Sequence, residues 1–116
     1  RPAVSGASAR HDVTLVYVGA DDCPPCISWQ RGAGASFRAS PEFAQLTYRE
    51  VKSPTLLDVL KDEYWPHDLR AYRDRLDRGA GVPLWLVVVD HEIVEHGFGA
   101  ARWSEAILPR LKSLLR

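Results

Sequence analysis

The chain holds only two cysteines, Cys23 and Cys26, and both lie in the segment ADDCPPCISW at residues 20–29. Two thiols at this spacing can exchange electrons as a dithiol and a disulfide, bind a metal as thiolates, or form a structural bridge. A Cys23–Cys26 bridge closes a minimal loop, so it removes little entropy from the unfolded chain and would be a weak structural link. The spacing therefore favours the two chemical explanations over the structural one.

Metal binding is one of these two explanations. A structural zinc site needs four ligands, commonly two cysteine pairs or one pair with two closely spaced histidines. The four histidines, at positions 11, 67, 91 and 96, have no such spacing, and we interpret them as surface residues. Cu(I) prefers soft thiolate and thioether ligands, but the chain contains no methionine. We therefore predict no metal or other cofactor, and a copper-binding chaperone stays as the alternative.

Redox exchange needs one attacking sulfur that a partner can reach and a second sulfur that resolves the mixed disulfide. VTLVYVG, at residues 13–19, is apolar on both faces and rich in β-branched residues, which predicts a strand buried on both sides. Cys23 would then begin the following helix, where a partial positive charge of about half an electron stabilises a thiolate. We expect Cys23 to be exposed and Cys26, one turn further on, to be buried.

The next elements must hold this turn in place. ISWQRGAGASFR, at 27–38, predicts a helix that its two central glycines weaken. SPEF, at 40–43, predicts the start of another helix, with Ser40 as N-cap and Pro41 in the first turn. LTYREV, at 46–51, alternates between apolar and polar residues and predicts a second strand.

The middle of the chain reads as helical. SPTLLDVLKDE, at 53–63, predicts a short helix after a second Ser-Pro pair. WPHDLRAYRDRLDRG, at 65–79, has apolar residues on one face and predicts a longer helix. Within it, Asp74 and Arg78 have the spacing of an ion pair between successive helical turns.

The last third of the chain predicts a hairpin and a helix. GVPLWLVVVDHEIVEHGFG, at 81–99, reads as two strands around a tight turn at 90–92. RWSEAILPRLKSLLR, at 102–116, reads as a helix bent at Pro109. The order of elements predicts a single α/β domain over 12–116, with a mixed sheet and helices on both faces. Residues 1–11 are small and polar, and we expect an extended tail there.

Two stretches resemble the thioredoxin-fold thiol–disulfide oxidoreductases. VTLVYVGADDCPPC is similar to the strand-then-CxxC opening of that family, and GVPLWLVVVDHEIVEHGFGAARWSEAILPRL is similar to its closing half. The resemblance covers about residues 12–51 and 80–115. It implies a thioredoxin-like fold, with Cys23 as nucleophile, Cys26 as resolving thiol, and 53–79 as a helical insertion before the cis-proline loop.

The resemblance also implies how a substrate is bound. Pro83 would be the cis-proline that faces the sulfurs, and the backbone of Val82 would pair with a substrate peptide as an added strand. Cis X–Pro bonds make up only ~5–6% of such bonds in folded proteins, so the use of one here would reflect a requirement. Proline has no N–H group that competes for the sulfurs.

Several residues depart from the family pattern. Asp22 occupies the position of the usual tryptophan, and Tyr17 that of the buried acid which many thioredoxins carry six residues before the nucleophile. Pro24 and Pro25 offer no N–H to a thiolate, and Asp21 and Asp22 oppose its formation by their charge. Strong oxidants of this class depend on a very stable thiolate. We therefore predict a disulfide reductase, with a dithiol oxidant as the alternative.

Composition bears on partners and location. The 15 basic and 15 acidic residues balance, which gives no electrostatic footprint for nucleic acid. The sequence starts at Arg1 and has no methionine, from which we expect a removed N-terminal signal or anchor. We expect a periplasmic monomer rather than a cytoplasmic one. Its expected partners are a disulfide-containing protein substrate and a membrane electron donor that restores the dithiol.

Overall fold

Within the described residues, a mixed sheet of four strands organises the chain. The computed structural model describes residues 12–76 and 79–115. β1 (Val13–Ala20) pairs in parallel with β2 (Thr47–Ser53) and antiparallel with β3 (Leu84–Val89), which pairs antiparallel with β4 (Glu92–Phe98). β1 is buried at every position except Thr14, so the prediction of a central strand buried on both sides is confirmed.

Helices from both ends of the chain cover one face of the sheet. The helices from the N-terminal half are α1 (Pro24–Arg31) and α2 (Ala33–Arg38). They separate at Gly32, where glycine weakens the single helix that was predicted. The core of this face is rich in aromatic residues, and its buried members are Val13, Leu15, Tyr17, Trp29, Phe37, Trp85, Val87, Trp103, Ile107, Leu111 and Leu115.

The C-terminal helix on this face changes pitch along its length. It consists of α3 (Ala100–Arg102), a π-helical turn (Trp103–Ile107) and α4 (Leu108–Leu114). The irregularity therefore precedes Pro109 rather than being centred on it. A proline lacks the N–H that an α-helix needs four residues after each carbonyl, and a π turn is one way of absorbing that loss.

The opposite face is covered by the segment 54–76, where short helical turns replace the two continuous helices that were predicted. The segment forms three 3₁₀ turns, Leu56–Asp58, Asp62–Tyr64 and His67–Leu69, and a single α-helical turn, Arg70–Arg73. Pro66 lies between the second and third 3₁₀ turns, and its missing N–H keeps the two stretches from joining into one longer helix. The segment is held instead by buried Val59, Trp65 and Leu69, which pack on the sheet.

Two predicted local contacts differ in the structure. Ser40 is not a side-chain cap: its Oγ donates to the carbonyl of Phe37 at 2.6 Å, and the predicted helix is a 3₁₀ turn, Pro41–Gln45. Asp74 accepts a hydrogen bond from Arg73 at 3.1 Å, and its predicted partner Arg78 lies outside the described residues. The predicted tail at 1–11 lies outside them too.

The hairpin is confirmed. β3 and β4 are joined through Asp90 and His91, whose φ angles are 51° and 70°. Left-handed conformations at both central residues are those of the tight turns that match the twist of antiparallel strands. Glu92, included in the predicted turn, is the first residue of β4. The hairpin places the preceding residues, 80–83, beside the end of β1.

Candidate active site

The two cysteines lie where β1 gives way to α1. Asp21 donates its N–H to the carbonyl of Ser53 at 2.9 Å, which ties the end of β1 to the end of β2. Cys23 then caps α1, with its own N–H on the carbonyl of Ala20 at 3.3 Å. The structure therefore places Cys23 at a helix N-terminus, as the strand-then-helix pattern predicts, and gives it the local positive potential of that position.

Cys23 and Cys26 form a disulfide, with their Cα atoms 5.2 Å apart. The N–H of Cys26 donates to Cys23 Sγ at 3.2 Å. Cys26 is fully buried and Cys23 is 5% exposed, so the expectation of an exposed Cys23 is wrong, although Cys23 is the less buried residue of the two. Pro24 and Pro25 are exposed and have no N–H to offer to the sulfur.

A phenol lies beneath the disulfide. Tyr17 is fully buried, and its hydroxyl donates to the carbonyl of Cys26 at 3.3 Å and accepts from Gln30 Nε2 at 2.7 Å. Burial raises the pKa of Tyr17 above its usual value. Gly19 is required nearby, because any side chain there would collide with the Tyr17 ring. The sequence analysis missed Gln30, which is four residues after Cys26 and thus on the same side of α1.

The two acidic residues before Cys23 are both exposed, and one of them has a fixed partner. Asp22 Oδ1 accepts the backbone N–H of Leu56 at 2.8 Å. This bond joins the active-site turn to the segment that covers the opposite face of the sheet. No local sequence pattern indicates that Asp22 has a partner 34 residues away.

Val82 and Pro83 lie against the cysteines. Val82 is half-buried and packs on the small cluster formed by Ala20, Cys23 and Cys26. The Val82–Pro83 peptide bond is cis, Pro83 is buried, and its carbonyl accepts the N–H of Gly99 at 2.8 Å. The structure thus brings together residues that are about 60 positions apart in the chain.

Comparison with known proteins gives a likeness in fold. No family model matches the chain, and no curated protein matches its sequence. A solved structure described as a DsbH oxidoreductase superposes with a TM-score of 0.50 at 17% identity, over 95% of this chain and 79% of that chain. The chain has a thioredoxin-like fold. The predicted fold class is therefore confirmed, and the fold together with the Cys23–Cys26 pair supports a redox function in general terms.

Over 12–76 and 79–115, no helix is both long enough and apolar enough to cross a bilayer. Over the same ranges, no three or more His, Cys, Asp or Glu side chains are grouped as a metal site would require.

Proposed function

We propose that the protein is a thiol–disulfide oxidoreductase whose Cys23–Cys26 dithiol reduces disulfides in a partner protein. The observation that carries the proposal is the cysteine pair itself. Both sulfurs lie at the N-terminus of a helix of a thioredoxin-like fold, with Cys23 outermost and Val82 packed beside them. In this arrangement one sulfur can attack a partner and the other can release it.

The reaction balances as two exchanges. The Cys23 thiolate attacks one sulfur of the substrate disulfide, which forms a Cys23–substrate disulfide and releases the other substrate sulfur as a thiolate. Cys26, as a thiolate, then attacks Cys23 Sγ, which forms the Cys23–Cys26 disulfide and releases the second substrate thiolate. Two electrons pass from the protein dithiol to the substrate, whose two thiolates take up the protons.

Two features support the reducing direction. The N–H of Cys26 donates to Cys23 Sγ, whereas Pro24 and Pro25 have no N–H groups with which to add further bonds. The carboxylates of Asp21 and Asp22 lie just before Cys23 in sequence and disfavour a second negative charge nearby. A less stabilised thiolate makes the disulfide form relatively more favourable, which is the property of a reductant.

The working compartment and the partners belong to the same proposal. In an oxidising compartment such as the periplasm, a reductant must be returned to the dithiol form by an electron donor in the membrane. Val82, next to the sulfurs, would pair its backbone with the substrate segment that carries the disulfide, and Pro83 would keep the sulfurs free of a competing N–H.

Cys23→Ser is the direct test. In a dithiol-driven assay of insulin disulfide reduction, we expect this variant to fall to the rate without protein. Cys26→Ser is the matched control: it keeps the attacking sulfur but cannot resolve, so it should accumulate a mixed disulfide with substrate that is visible by mass spectrometry. Full activity in Cys23→Ser would show that the proposal is wrong.

A redox titration of the cysteine pair tests the direction separately. We expect a potential below about −200 mV, towards the value of roughly −270 mV for thioredoxin. A value near about −120 mV, that of a strong oxidant, would reverse the assigned direction while leaving the exchange chemistry in place.

A further inference from the structure

Three leucines beside the redox site point away from the core. Leu57 is 93% exposed, Leu56 47% and Leu60 45%. Single exposed leucines are common on protein surfaces, whereas a contiguous group of them marks a binding surface. These three line one groove of about 330 Å³, whose other wall is formed by residues 80–82. We call it the leucine groove.

The backbone that carries the leucines is fixed at three points. Leu56 N–H donates to Asp22 at 2.8 Å, Trp65 Nε1 donates to the carbonyl of Val59 at 2.7 Å, and Arg73 donates to the carbonyl of Leu60 at 3.1 Å. Val59 and Trp65 are buried in the core. The segment thus uses other apolar residues for packing and holds its leucines outward. A wall that is already ordered loses less conformational entropy when it binds.

The groove is continuous with the redox site. Val82 lines the groove and also packs against Cys23 and Cys26. On the other wall, Leu56 is held by Asp22, the residue directly before Cys23. A chain that presents a disulfide to Cys23 and runs along Val82 therefore passes over the groove.

We propose that the leucine groove binds a large aliphatic or aromatic side chain close to the disulfide cysteine of the partner protein, so that disulfides with apolar flanks are preferred. This inference rests on the proposed function. The groove is at the small end of the ~300–1,000 Å³ range of ligand sites, a size suited to one or two side chains. A second copy of this chain fits less well, because covering the groove as far as Val82 would also cover Cys23.

Two peptide disulfides test the preference. They are identical except for the residues on each side of the cysteine, which are leucine in one peptide and serine in the other. The second-order rate of reduction by the pre-reduced protein is measured by acid quench, thiol alkylation and mass spectrometry. We expect the leucine peptide to react about tenfold faster, the lower end of the discrimination that an apolar pocket provides.

Leu57→Ser should remove most of this ratio by slowing only the leucine peptide, and the fold should tolerate the change because Leu57 is 93% exposed. Leu57→Met conserves volume and should keep the ratio. Leu46→Ser is the matched control, since it makes the same chemical change at a half-buried leucine that packs on the other face of the sheet. Its ratio should equal that of the wild type.

The outcomes separate the inference from the proposed function. If the wild type reduces both peptides at the same rate, the apolar preference is wrong while the exchange chemistry stands. If neither peptide is reduced, the proposed function fails and the inference with it. If Leu57→Ser leaves the ratio unchanged but turns a sedimenting dimer into a monomer, the groove is a contact between copies and the inference is overturned.

Discussion

Tyr17, whose hydroxyl donates to the carbonyl of Cys26, occupies a position that holds a carboxylic acid in many thioredoxins. In those thioredoxins, the carboxylate accepts the proton of the resolving thiol. In this chain the position holds a phenol whose pKa burial raises, so it stays protonated and donates to the carbonyl of Cys26. Tyr17 is therefore a positioning residue for α1. In the proposed exchange reaction, the proton of Cys26 would have to leave by another route, through water or the departing substrate thiolate.

Tyr17 should make the stability of the protein sensitive to alkaline pH. The pKa of Tyr17 in the folded state lies above the unfolded value of about 10. The stability that this difference gives to the folded protein is complete below a pH of about 10 and is lost as the pH rises towards the pKa of the folded state. Over that interval the free energy of unfolding should fall by about 1.4 kcal/mol per pH unit from this group.

Urea unfolding of the wild type and Tyr17→Phe between pH 9 and about pH 11 measures this contribution. All other tyrosines are present in both proteins, so the difference in slope isolates Tyr17. The variant should show the shallower loss of stability. Equal slopes would mean that the hydroxyl is not held in its protonated form by the fold.

Sequence alone located the residues whose chemistry depends on near neighbours. Cys23 and Cys26 could be assigned because a strand followed by Cys-x-x-Cys is a local pattern. Gln30, Asp22 and Leu56 could not be placed, because their contacts join parts of the chain that only the tertiary structure brings together. The exposure of Cys23 was also misjudged, since Val82 packs against the pair and covers it.

At the scale of elements, the segment 54–76 is held by contacts rather than by helical periodicity. The strands and helices on either side of this segment were predictable because their apolar residues repeat with the period of a strand or of a helix. Here buried Trp65 and Val59 attach short turns to the sheet. Helix propensity is a weak guide when tertiary packing decides the conformation.

Arg73 should stabilise the conformation of this segment through its hydrogen bonds. It is 16% exposed, donates to the carbonyl of Leu60 and to Asp62 Oδ1, and by that second bond lowers the pKa of the Asp62 carboxyl. We expect Arg73→Gln to cost about 1 kcal/mol, because hydrogen bonds to charged groups are lost. Amide exchange over residues 56–64 should become faster, while exchange in β1 and β3 keeps its wild-type rate.

Arg75→Gln is the matched control for this experiment, because it makes the same chemical change at an exposed side chain two positions away. It should leave amide exchange over 56–64 as in the wild type. If both variants accelerate exchange equally, the net charge of the segment matters and the bonds of Arg73 do not.

At the scale of the whole molecule, redox state and stability are linked by a thermodynamic cycle. A reductant has a folded state that favours the disulfide over the dithiol, whereas a strong oxidant has a stabilised reduced form. We therefore expect the oxidised protein to unfold at a higher urea concentration than the reduced protein. Each ~60 mV by which folding lowers the potential corresponds to about 3 kcal/mol.

The comparison needs both forms of the same chain, measured at one pH with the reduced form kept under excess dithiol. Cys23→Ala/Cys26→Ala serves as the control, since excess dithiol should not move its unfolding midpoint. A reduced form more stable than the oxidised one would identify an oxidant, and it would do so without reference to any substrate.

The two outer strands of the sheet also decide how the molecule behaves in a crowded solution. Among the described residues, β2 ends the sheet on one side and carries Arg49, Glu50 and Lys52, while β4 ends it on the other and carries Glu92 and Glu95. The β3–β4 ladder also shifts register between Val87 and Val88. Charged and irregular edges discourage strands of other chains from adding to a sheet. The protein can therefore keep apolar leucines exposed beside Cys23 and Cys26 with little risk of edge-to-edge aggregation.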